Sequence, residues 1–164
     1  MSFKTQVGRL KLNQSEKRET METLEKLEDK ELLKDLFTTA IEGGIDYWSN
    51  VTAYKHSIDD WFATIETDDI SEDDDGDLVI GDLVTLKINE STIFKGIKLL
   101  AKETDSDRED KNIHPDSSHA NIAQFCKELI DSSGAVNKFD DWGYDCCDAD
   151  MIVQMGLFKE VIYG

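Results

Sequence analysis

Apolar residues recur along this chain with two different periods, and the change of period separates helical from extended segments. In residues 22–41 they follow the spacing of three and four that is typical of an amphipathic helix. We predict that this helix ends at Gly43 and Gly44, because glycine enters the left-handed backbone conformation without a Cβ clash. Trp48 and two tyrosines follow closely. We therefore expect the chain to turn back here and to bury the two aromatic residues that follow the glycines, Tyr47 and Trp48.

The part of the chain after these glycines is rich in β-branched and aromatic residues, which favour strands. Val51–Lys55 and Trp61–Thr67 are predicted strands, and the second alternates between two faces. Residues 68–77 are predicted to form a turn. Leu78–Ile88 is predicted to be a third strand or strand pair, with a bulge or bend at Gly81.

The remaining chain is predicted to be mainly helical. Asn89 is a suitable N-cap for a helix whose apolar stripe includes Ile93 and Phe94. After a charged loop at 104–112, Pro115 is placed in the first turn of another helix, which carries Ile122, Phe125, Cys126, Leu129 and Ile130 and ends at Gly134. A turn carrying Trp142, a short helix beginning near Asp148 and a short strand at 160–163 follow.

This order of elements predicts an α+β fold, with a small antiparallel sheet packed against three to four helices. The length of 164 residues suits one domain with a proper core. We expect residues 1–20, which lack a periodic apolar face, to be a flexible lead-in that is dispensable for folding. Residues 21–164 would then form a single domain.

The charge is strongly acidic and unevenly distributed. The chain has 36 acidic and 18 basic residues, a net charge of −18. Residues 1–34 hold eight bases and seven acids, a net of +1, whereas residues 35–164 hold ten bases and 29 acids, a net of −19. Such a body repels nucleic-acid phosphates and anionic membranes and attracts basic protein surfaces. We therefore expect a protein partner with a basic surface, and no direct binding of nucleic acid or membrane.

The densest charge lies in one short run. Nine acids occur within seventeen residues, with no base among them: Glu66, Asp68, Asp69, Glu72, Asp73, Asp74, Asp75, Asp77 and Asp82. One interpretation is a solvated hairpin loop that keeps the protein soluble. The other is an array of carboxylates that imitates phosphates and occupies the nucleic-acid groove of a target protein. The sequence leaves both open.

Other candidate chemistry is weaker. An EF-hand centred on Gly76 would have Ser71 and Asp82 where aspartate and a bidentate glutamate belong, and strands rather than helices would flank it. His114, His119 and the adjacent Cys146 and Cys147 lack the spacing of a structural zinc site, and Cys126 fits an ordinary core position. No catalytic motif is present. We predict no catalytic residue, no metal and no cofactor.

Two further groups of residues could serve binding, of a metal ion or of a ligand, but each also has a simpler structural explanation. Asp145, Asp148 and Asp150 would hold Mg²⁺ for phosphoryl chemistry if they converged, but Asp148 as a helix cap is the simpler account. Tyr47, Trp48, Trp61 and Trp142 would line a ligand pocket, but packing in the core explains them adequately.

The three cysteines form a poor disulfide framework, and no signal peptide or membrane-spanning segment is evident. We therefore expect a reducing cytoplasm, with free thiols.

Two segments, EGGIDYW (42–48) and DADMIVQMGLFKEVIYG (148–164), carry a resemblance. They resemble a group of small, mostly uncharacterised proteins encoded by tailed bacteriophages, which share a glycine pair before Tyr-Trp and a similar C-terminal ending. The matching residues of that ending are Asp150, Gln154, Leu157, Phe158, Glu160, Tyr163 and Gly164. Lys159 stands where the group has glycine, and Gly156 where it has alanine. The resemblance implies a phage source and an α+β fold, and it transfers no catalytic residues.

The hypothesis that follows is a non-enzymatic phage accessory protein in the cytoplasm of an infected bacterium. It would inhibit a host protein of defence or nucleic-acid handling through an acidic, nucleic-acid-mimicking surface. The alternatives are a binder of a small molecule such as a nucleotide signal, which needs a basic or amide-rich pocket, and a metal-dependent hydrolase that uses the C-terminal aspartates.

Overall fold

The computed structural model describes residues 30–131 and 143–164. The proposed lead-in at 1–20, the predicted start of the first helix at Glu22, the helix end at Gly134 and the turn around Trp142 lie outside these ranges. Nothing in the described residues tests those four predictions.

The first described helix, α1, spans Lys30–Gly43 and buries Leu33, Leu36 and Phe37. It ends at the predicted glycine, but the reason is different from the expected one. Neither Gly43 nor Gly44 has a positive φ. A Cβ on Gly44 would lie 2.6 Å from the carbonyl oxygen of Cys146, so this glycine is needed for close approach to another helix.

Three antiparallel strands form one sheet in the order β1-β2-β3, which confirms the α+β class. The strands are β1 (Asn50–His56), β2 (Trp61–Glu72) and β3 (Leu78–Asn89). One face of β2 is buried in the core through Trp61, Ala63, Ile65 and Thr67. β2 is five residues longer than predicted, because residues 68 and 70–72 continue its pairing with β3. The predicted turn at 68–77 is therefore wrong in its first half.

Four more helices complete the described chain: α2 (Glu90–Lys102), α3 (Asp105–Asp110), α4 (Ser118–Asp131) and α5 (Cys146–Phe158). Asn89 caps α2 as predicted, through a capping box with Thr92. The stretch 104–112 is not wholly a loop, because Thr104 and Asp107 form a capping box that starts α3. Pro115 lies in a turn just before α4 rather than in its first turn.

The helices share one core with the inner face of the sheet, and α5 packs most closely against α2. A Cβ on Gly96 would lie 2.0 Å from the carbonyl oxygen of Ile152, and one on Gly156 would lie 2.2 Å from that of Thr92. Glycines on both helices therefore let the two backbones approach. An alanine at position 156 would not fit this contact without a shift.

The C-terminal helix begins earlier than predicted. Asp145 is its N-cap and accepts hydrogen bonds from the backbone N–H groups of Cys147 and Asp148, at 2.8 and 3.0 Å. Asp148 is the N3 partner of this capping box. The helix is followed by Lys159 in the left-handed conformation, with φ of 66°. Lys159 thus occupies a position that favours glycine.

Candidate functional site

The nine acids of the run all lie on the outer part of the β2–β3 hairpin. β1 pairs with β2 only as far as Glu66, so beyond that pair the sheet narrows to two strands. We call residues 66–85 the acidic hairpin. All its acidic side chains that the structure describes are exposed, except for the half-buried Asp69. The structure therefore brings the run together on one projecting element.

The acids do not share one face of that element. Alternation along β2 places Glu66 and Asp68 on the outer face of the sheet, opposite the buried Thr67. The register of β2 and β3 shifts between the pairs Asp68–Leu83 and Ile70–Ile80. In this interval Asp69 of β2 lies opposite two residues of β3, Gly81 and Asp82. This confirms the bulge predicted at Gly81. The remaining four described acids occupy the tip, at Asp73, Asp74, Asp75 and Asp77.

Asp73 shapes the tip of the hairpin. Its Oδ1 accepts hydrogen bonds from the backbone N–H groups of Asp75 and Asp77, both at 2.9 Å. Gly76 has a φ of 84°, a left-handed conformation that glycine adopts without strain. The tip is thus a tight turn between two strands, without the two flanking helices of an EF-hand.

Large apolar side chains lie among these acids. Leu78, Ile80 and Leu83 are 59%, 71% and 69% exposed. Leu83 is the cross-strand neighbour of Asp68. A solvated loop would not need such side chains, whereas mixed apolar and charged surfaces occur where proteins bind one another. The sequence pattern predicted the strand but did not show that its apolar residues remain outside the core.

The charge of the acidic hairpin is not neutralised within the described part of the chain. None of its described acidic side chains forms an ion pair with another described residue. The nearest base in sequence is Lys87, whose Nζ lies 4.3 Å from the centre of the Phe62 ring. The carboxylates are therefore available to a cationic partner.

A groove of about 710 Å³ lies between the acidic hairpin and the end of α5. Three lysines and three acids line it, so the lining has no excess positive charge: Lys87, Lys95 and Lys159, with Asp68, Asp69 and Glu160. Lys95 donates a hydrogen bond to the carbonyl oxygen of Gly156 at 2.8 Å, near the C-terminus of α5. Burial, and then the nearby Lys159, lower the pKa of Lys95. The groove is therefore not the basic pocket that a nucleotide binder needs.

The three C-terminal aspartates do not converge on a metal site. Asp145 and Asp148 form the capping box of α5, whereas Asp150 is buried. Asp150 Oδ2 accepts hydrogen bonds from Tyr47 Oη at 2.7 Å and Gln154 Nε2 at 2.8 Å, and its Oδ1 accepts one from Trp48 Nε1 at 2.8 Å. Burial raises the pKa of Asp150, and these hydrogen bonds offset part of that effect.

Gln154 extends this network to the end of the chain. Its Oε1 accepts hydrogen bonds from the backbone N–H groups of Ile162 and Tyr163, and its Nε2 donates to the carbonyl oxygen of Tyr163, all at 2.8 Å. The predicted strand at 160–163 is wrong: this segment is irregular, and the side chain of Gln154 rather than a strand satisfies the backbone of Ile162 and Tyr163.

The aromatic residues near this network have separate surroundings. Trp48 is buried, as predicted, and contacts the rings of Phe158 and Tyr163, which are half-buried. Tyr47 is 59% exposed, so the prediction that it would be buried is wrong. Trp61 packs on Phe37, with ring centres 4.6 Å apart. Trp48 and Trp61 thus serve packing, as the simpler interpretation held, whereas Tyr47 is largely exposed and donates a hydrogen bond to Asp150.

The possible metal-binding residues are scattered. His119 Nε2 lies 2.7 Å from the Glu103 carboxylate, whereas the side chain of His114 is 75% exposed. Asp145, Cys146 and Cys147 lie close enough for one ligand atom from each to be within 4.8 Å of the others. The Asp145 charge, followed by that of Cys146, raises the pKa of the Cys147 thiol and so disfavours the thiolate that binds metals. Cys126 is buried in the core as predicted.

Comparisons with known proteins bring no further assignment. No protein-family model, curated protein or solved structure matches this chain. None of the helices in the described ranges has the length and apolar character required to cross a bilayer.

Proposed function

We propose that this chain is a non-enzymatic bacteriophage accessory protein that inhibits a host protein through its acidic hairpin. The target is a protein of defence or nucleic-acid handling whose basic groove normally receives DNA or RNA. The phage source rests on the sequence resemblance, and the mode of action rests on the hairpin. The observation that carries the proposal is the projection of acids and exposed leucine and isoleucine side chains from one two-stranded element.

The acidic hairpin carries a dense line of negative charge, although the spacing of its charges is wider than in nucleic acid. Seven residues of β2, from Glu66 to Glu72, extend about 23 Å at about 3.3 Å per residue. Five of the nine acids lie along this length, at Glu66, Asp68, Asp69, Glu72 and Asp82, which corresponds to one charge per about 4.6 Å, and the other four lie at the tip; duplex DNA has one charge per about 1.7 Å of its axis. Carboxylates on both faces and at the tip are accessible from several directions, as the phosphates of a duplex are. Lysine and arginine side chains of a DNA-binding groove would pair with them.

The apolar side chains favour a protein partner over simple solvation. Burying Leu78, Ile80 and Leu83 against a partner removes apolar surface from water, which stabilises a complex at about 25 cal/mol per Å². Carboxylates steer association, and apolar contacts slow dissociation. A partner that combines a basic groove with an apolar contact is therefore favoured over a purely electrostatic one.

The test compares two triple variants that lose the same charge. Asp74→Asn/Asp75→Asn/Asp77→Asn acts on the tip and spares Asp73, whose carboxylate shapes the turn. Glu109→Gln/Asp110→Asn/Asp116→Asn is the matched control, because these three acids are also exposed but lie outside the hairpin. Immobilised wild-type and variant proteins would capture partners from a lysate of the bacterial host, at low and at raised salt.

We expect the wild-type chain and the control to capture the same nucleic-acid-binding protein, and the hairpin variant to lose it. Raised salt should weaken capture, and added DNA duplex should compete with it. Equal capture by the hairpin variant and the control would show that the run is a solvated turn. A captured protein that DNA does not displace would contradict mimicry.

A further inference from the structure

The outer edge of β3 is a free edge of the sheet. β3 pairs with β2 on one side, and no described backbone group outside β2 forms a hydrogen bond with residues 78–86. Alternate N–H and C=O groups along this edge therefore point away from the sheet without a backbone partner. We propose that this edge receives an extended segment of a partner protein, in which basic and apolar residues alternate, as a fourth strand.

The sequence of β3 leaves this edge open to pairing. Proteins commonly protect edge strands with charged side chains, and β2 has Asp68 and Asp69 where its own edge is free of β1. Residues 83–86 of β3, by contrast, are Leu-Val-Thr-Leu and have no charge. The bulge at Gly81 interrupts the edge on the side of the tip. An added strand would therefore pair with residues 83–86.

The inner face of the sheet beside this edge suits apolar side chains. Val84 and Leu86 are the half-buried residues of β3 on this face, and they line the groove of about 710 Å³. Leu157, Phe158 and Ile162 also line it. Side chains of a strand alternate between its two faces, so every second side chain of the added strand would lie over this groove. Apolar side chains are favoured there, because burying them removes apolar surface of both proteins from water.

The outer face of the sheet suits basic side chains. Glu66 and Asp68 lie on this face and are exposed, opposite Thr85 and Leu83 of β3. Neither acid forms an ion pair with a residue in the described ranges. Neighbouring strands are about 4.8 Å apart, so the added strand would lie about 10 Å from β2, a gap that extended lysine and carboxylate side chains bridge together. The other half of the side chains of the added strand should therefore be basic.

A second copy of this chain is a less suitable occupant. Pairing β3 with β3 of another copy would bring two acidic hairpins, each with nine acids, close to one another. Their like charges would repel, whereas a basic segment is attracted. The inference rests on the proposed function for the source of this segment, a host protein with a basic surface, and adds how that protein binds.

The test measures binding of a synthetic peptide to the full chain. The probe is an acetylated and amidated octapeptide of alternating lysine and valine. One control peptide has the same composition in two blocks. The other has the probe sequence with N-methylated backbone amides, so it keeps every side chain and charge but has no N–H group for strand pairing. We expect the probe to bind about tenfold more tightly than either control, because main-chain hydrogen bonds contribute to affinity when a strand is added.

Hydrogen exchange locates the bound peptide. We expect the probe to slow exchange several-fold at alternate amides of residues 83–86, and not in β1, the other edge strand. Glu66→Gln/Asp68→Asn should weaken binding of the probe. Glu109→Gln/Asp110→Asn removes the same charge from exposed positions outside the hairpin and should bind the probe as wild type does. Equal affinity for the probe and its N-methylated form, or slowed exchange in β1 instead, would overturn the proposal.

The peptide experiment and the capture experiment can fail separately. A captured host protein that leaves exchange at residues 83–86 unchanged would support the proposed function and overturn this inference. Binding of the probe at β3, without capture of any host protein, would support this inference and contradict the proposed function. Self-association of the full chain that slows exchange at the same amides would identify a second copy as the occupant and overturn the inference.

Discussion

Trp48 Nε1 donates a hydrogen bond to Asp150 Oδ1 at 2.8 Å, across 102 positions of sequence. The indole also stacks on Tyr163, with ring centres 5.0 Å apart and planes inclined by 6°. A single side chain thereby joins the turn after α1, the middle of α5 and the end of the chain. Residues 47–48 and the C-terminal segment 150–163 are therefore partners in one network.

Removing the indole N–H should destabilise the fold even where an aromatic ring remains at position 48. Trp48→Phe leaves Asp150 Oδ1 without its donor, and we expect a loss of about 1–3 kcal/mol in the free energy of unfolding. Trp48→Ala also loses the ring contacts, and we expect a loss of about 3–5 kcal/mol. Urea unfolding followed by circular dichroism measures both. Equal losses for the two variants would show that the hydrogen bond, not the ring, dominates.

Asp150→Asn should have an effect that depends on pH. Because burial raises the pKa of Asp150, the folded chain binds more protons there than the unfolded chain. The contribution of Asp150 to the free energy of unfolding is therefore fully present below the ordinary aspartate pKa of about 3.9. This contribution is lost as the pH rises through the pKa of Asp150 in the folded chain. The difference in unfolding free energy between wild type and Asp150→Asn should therefore be largest at acid pH and should decline as the pH rises.

Unfolding in urea between about pH 3 and about pH 8 would measure this difference. Asp46→Asn, an exposed aspartate just before the same aromatic pair, is the control and should change stability by less than about 0.5 kcal/mol. A difference for Asp150→Asn that grows with pH would contradict the assignment.

Glu103→Gln should show the opposite dependence. Burial by itself would raise the pKa of Glu103, but hydrogen bonds and charges from His119 and Lys111 outweigh it and the pKa is lowered. The contribution of Glu103 to the free energy of unfolding is therefore present above the ordinary glutamate pKa of about 4.3. This contribution is lost as the pH falls through the pKa of Glu103 in the folded chain. We expect Glu103→Gln to cost about 1–3 kcal/mol at neutral pH, with the difference shrinking in acid.

Asp105→Asn is the matched control for Glu103→Gln. The Asp105 side chain is 94% exposed and pairs with Arg108, so its loss should cost less than about 1 kcal/mol. Thermal or urea unfolding of both variants at several pH values would compare them. A cost for Glu103→Gln as small as that of the control would contradict the assignment of a stabilising buried cluster.

Gly156→Ala should disrupt the packing of α5 on α2. The added Cβ would meet the Thr92 carbonyl oxygen at 2.2 Å, and backbone atoms cannot rotate away as a side chain would. We expect a loss of about 1–3 kcal/mol, typical of an overpacked contact. Gly143→Ala is the control, because nothing described lies within 4 Å of its added Cβ. Equal thermal midpoints for the two variants would show that the helices separate without cost.

Lys159→Gly should stabilise the fold. Lys159 follows α5 with φ of 66°, a conformation that costs a residue with a Cβ about 1 kcal/mol more than glycine. We expect a gain of up to about 1 kcal/mol in the free energy of unfolding. Lys159→Ala keeps the Cβ and removes only the amine, so it separates the backbone effect from the charge. A gain for alanine as large as that for glycine would assign the effect to charge.

The sequence predicted most elements because their signals are local. The spacing of Ile93, Phe94 and Ile97 predicted a helical face that the structure buries, and Asn89 was predicted and found as its cap. Alternation from Trp61 to Thr67 likewise gave the buried face of β2. These features depend on residues within a few positions of each other, where backbone geometry alone decides which side chains share a face.

The secondary structure of the acidic run could be assigned only from the tertiary structure, because the length of a strand depends on its hydrogen bonds to the neighbouring strand. Composition predicted a turn from Asp68 onward, yet hydrogen bonding to β3 extends β2 through Glu72, despite the charges. Gly44 was similarly predicted to be an end of a helix, but only the approach of Cys146 explains why glycine is needed.

The sequence by itself determined the α+β class, the periodic core positions and the excess of negative charge. Only the tertiary structure decided that Asp150 is a buried acceptor rather than a metal ligand, because its three donors come from Tyr47, Trp48 and Gln154. Two of these lie more than a hundred residues away, and no local pattern encodes such a distance. The free energy of a buried carboxylate depends on the groups that surround it after folding, and those are fixed by packing of distant segments.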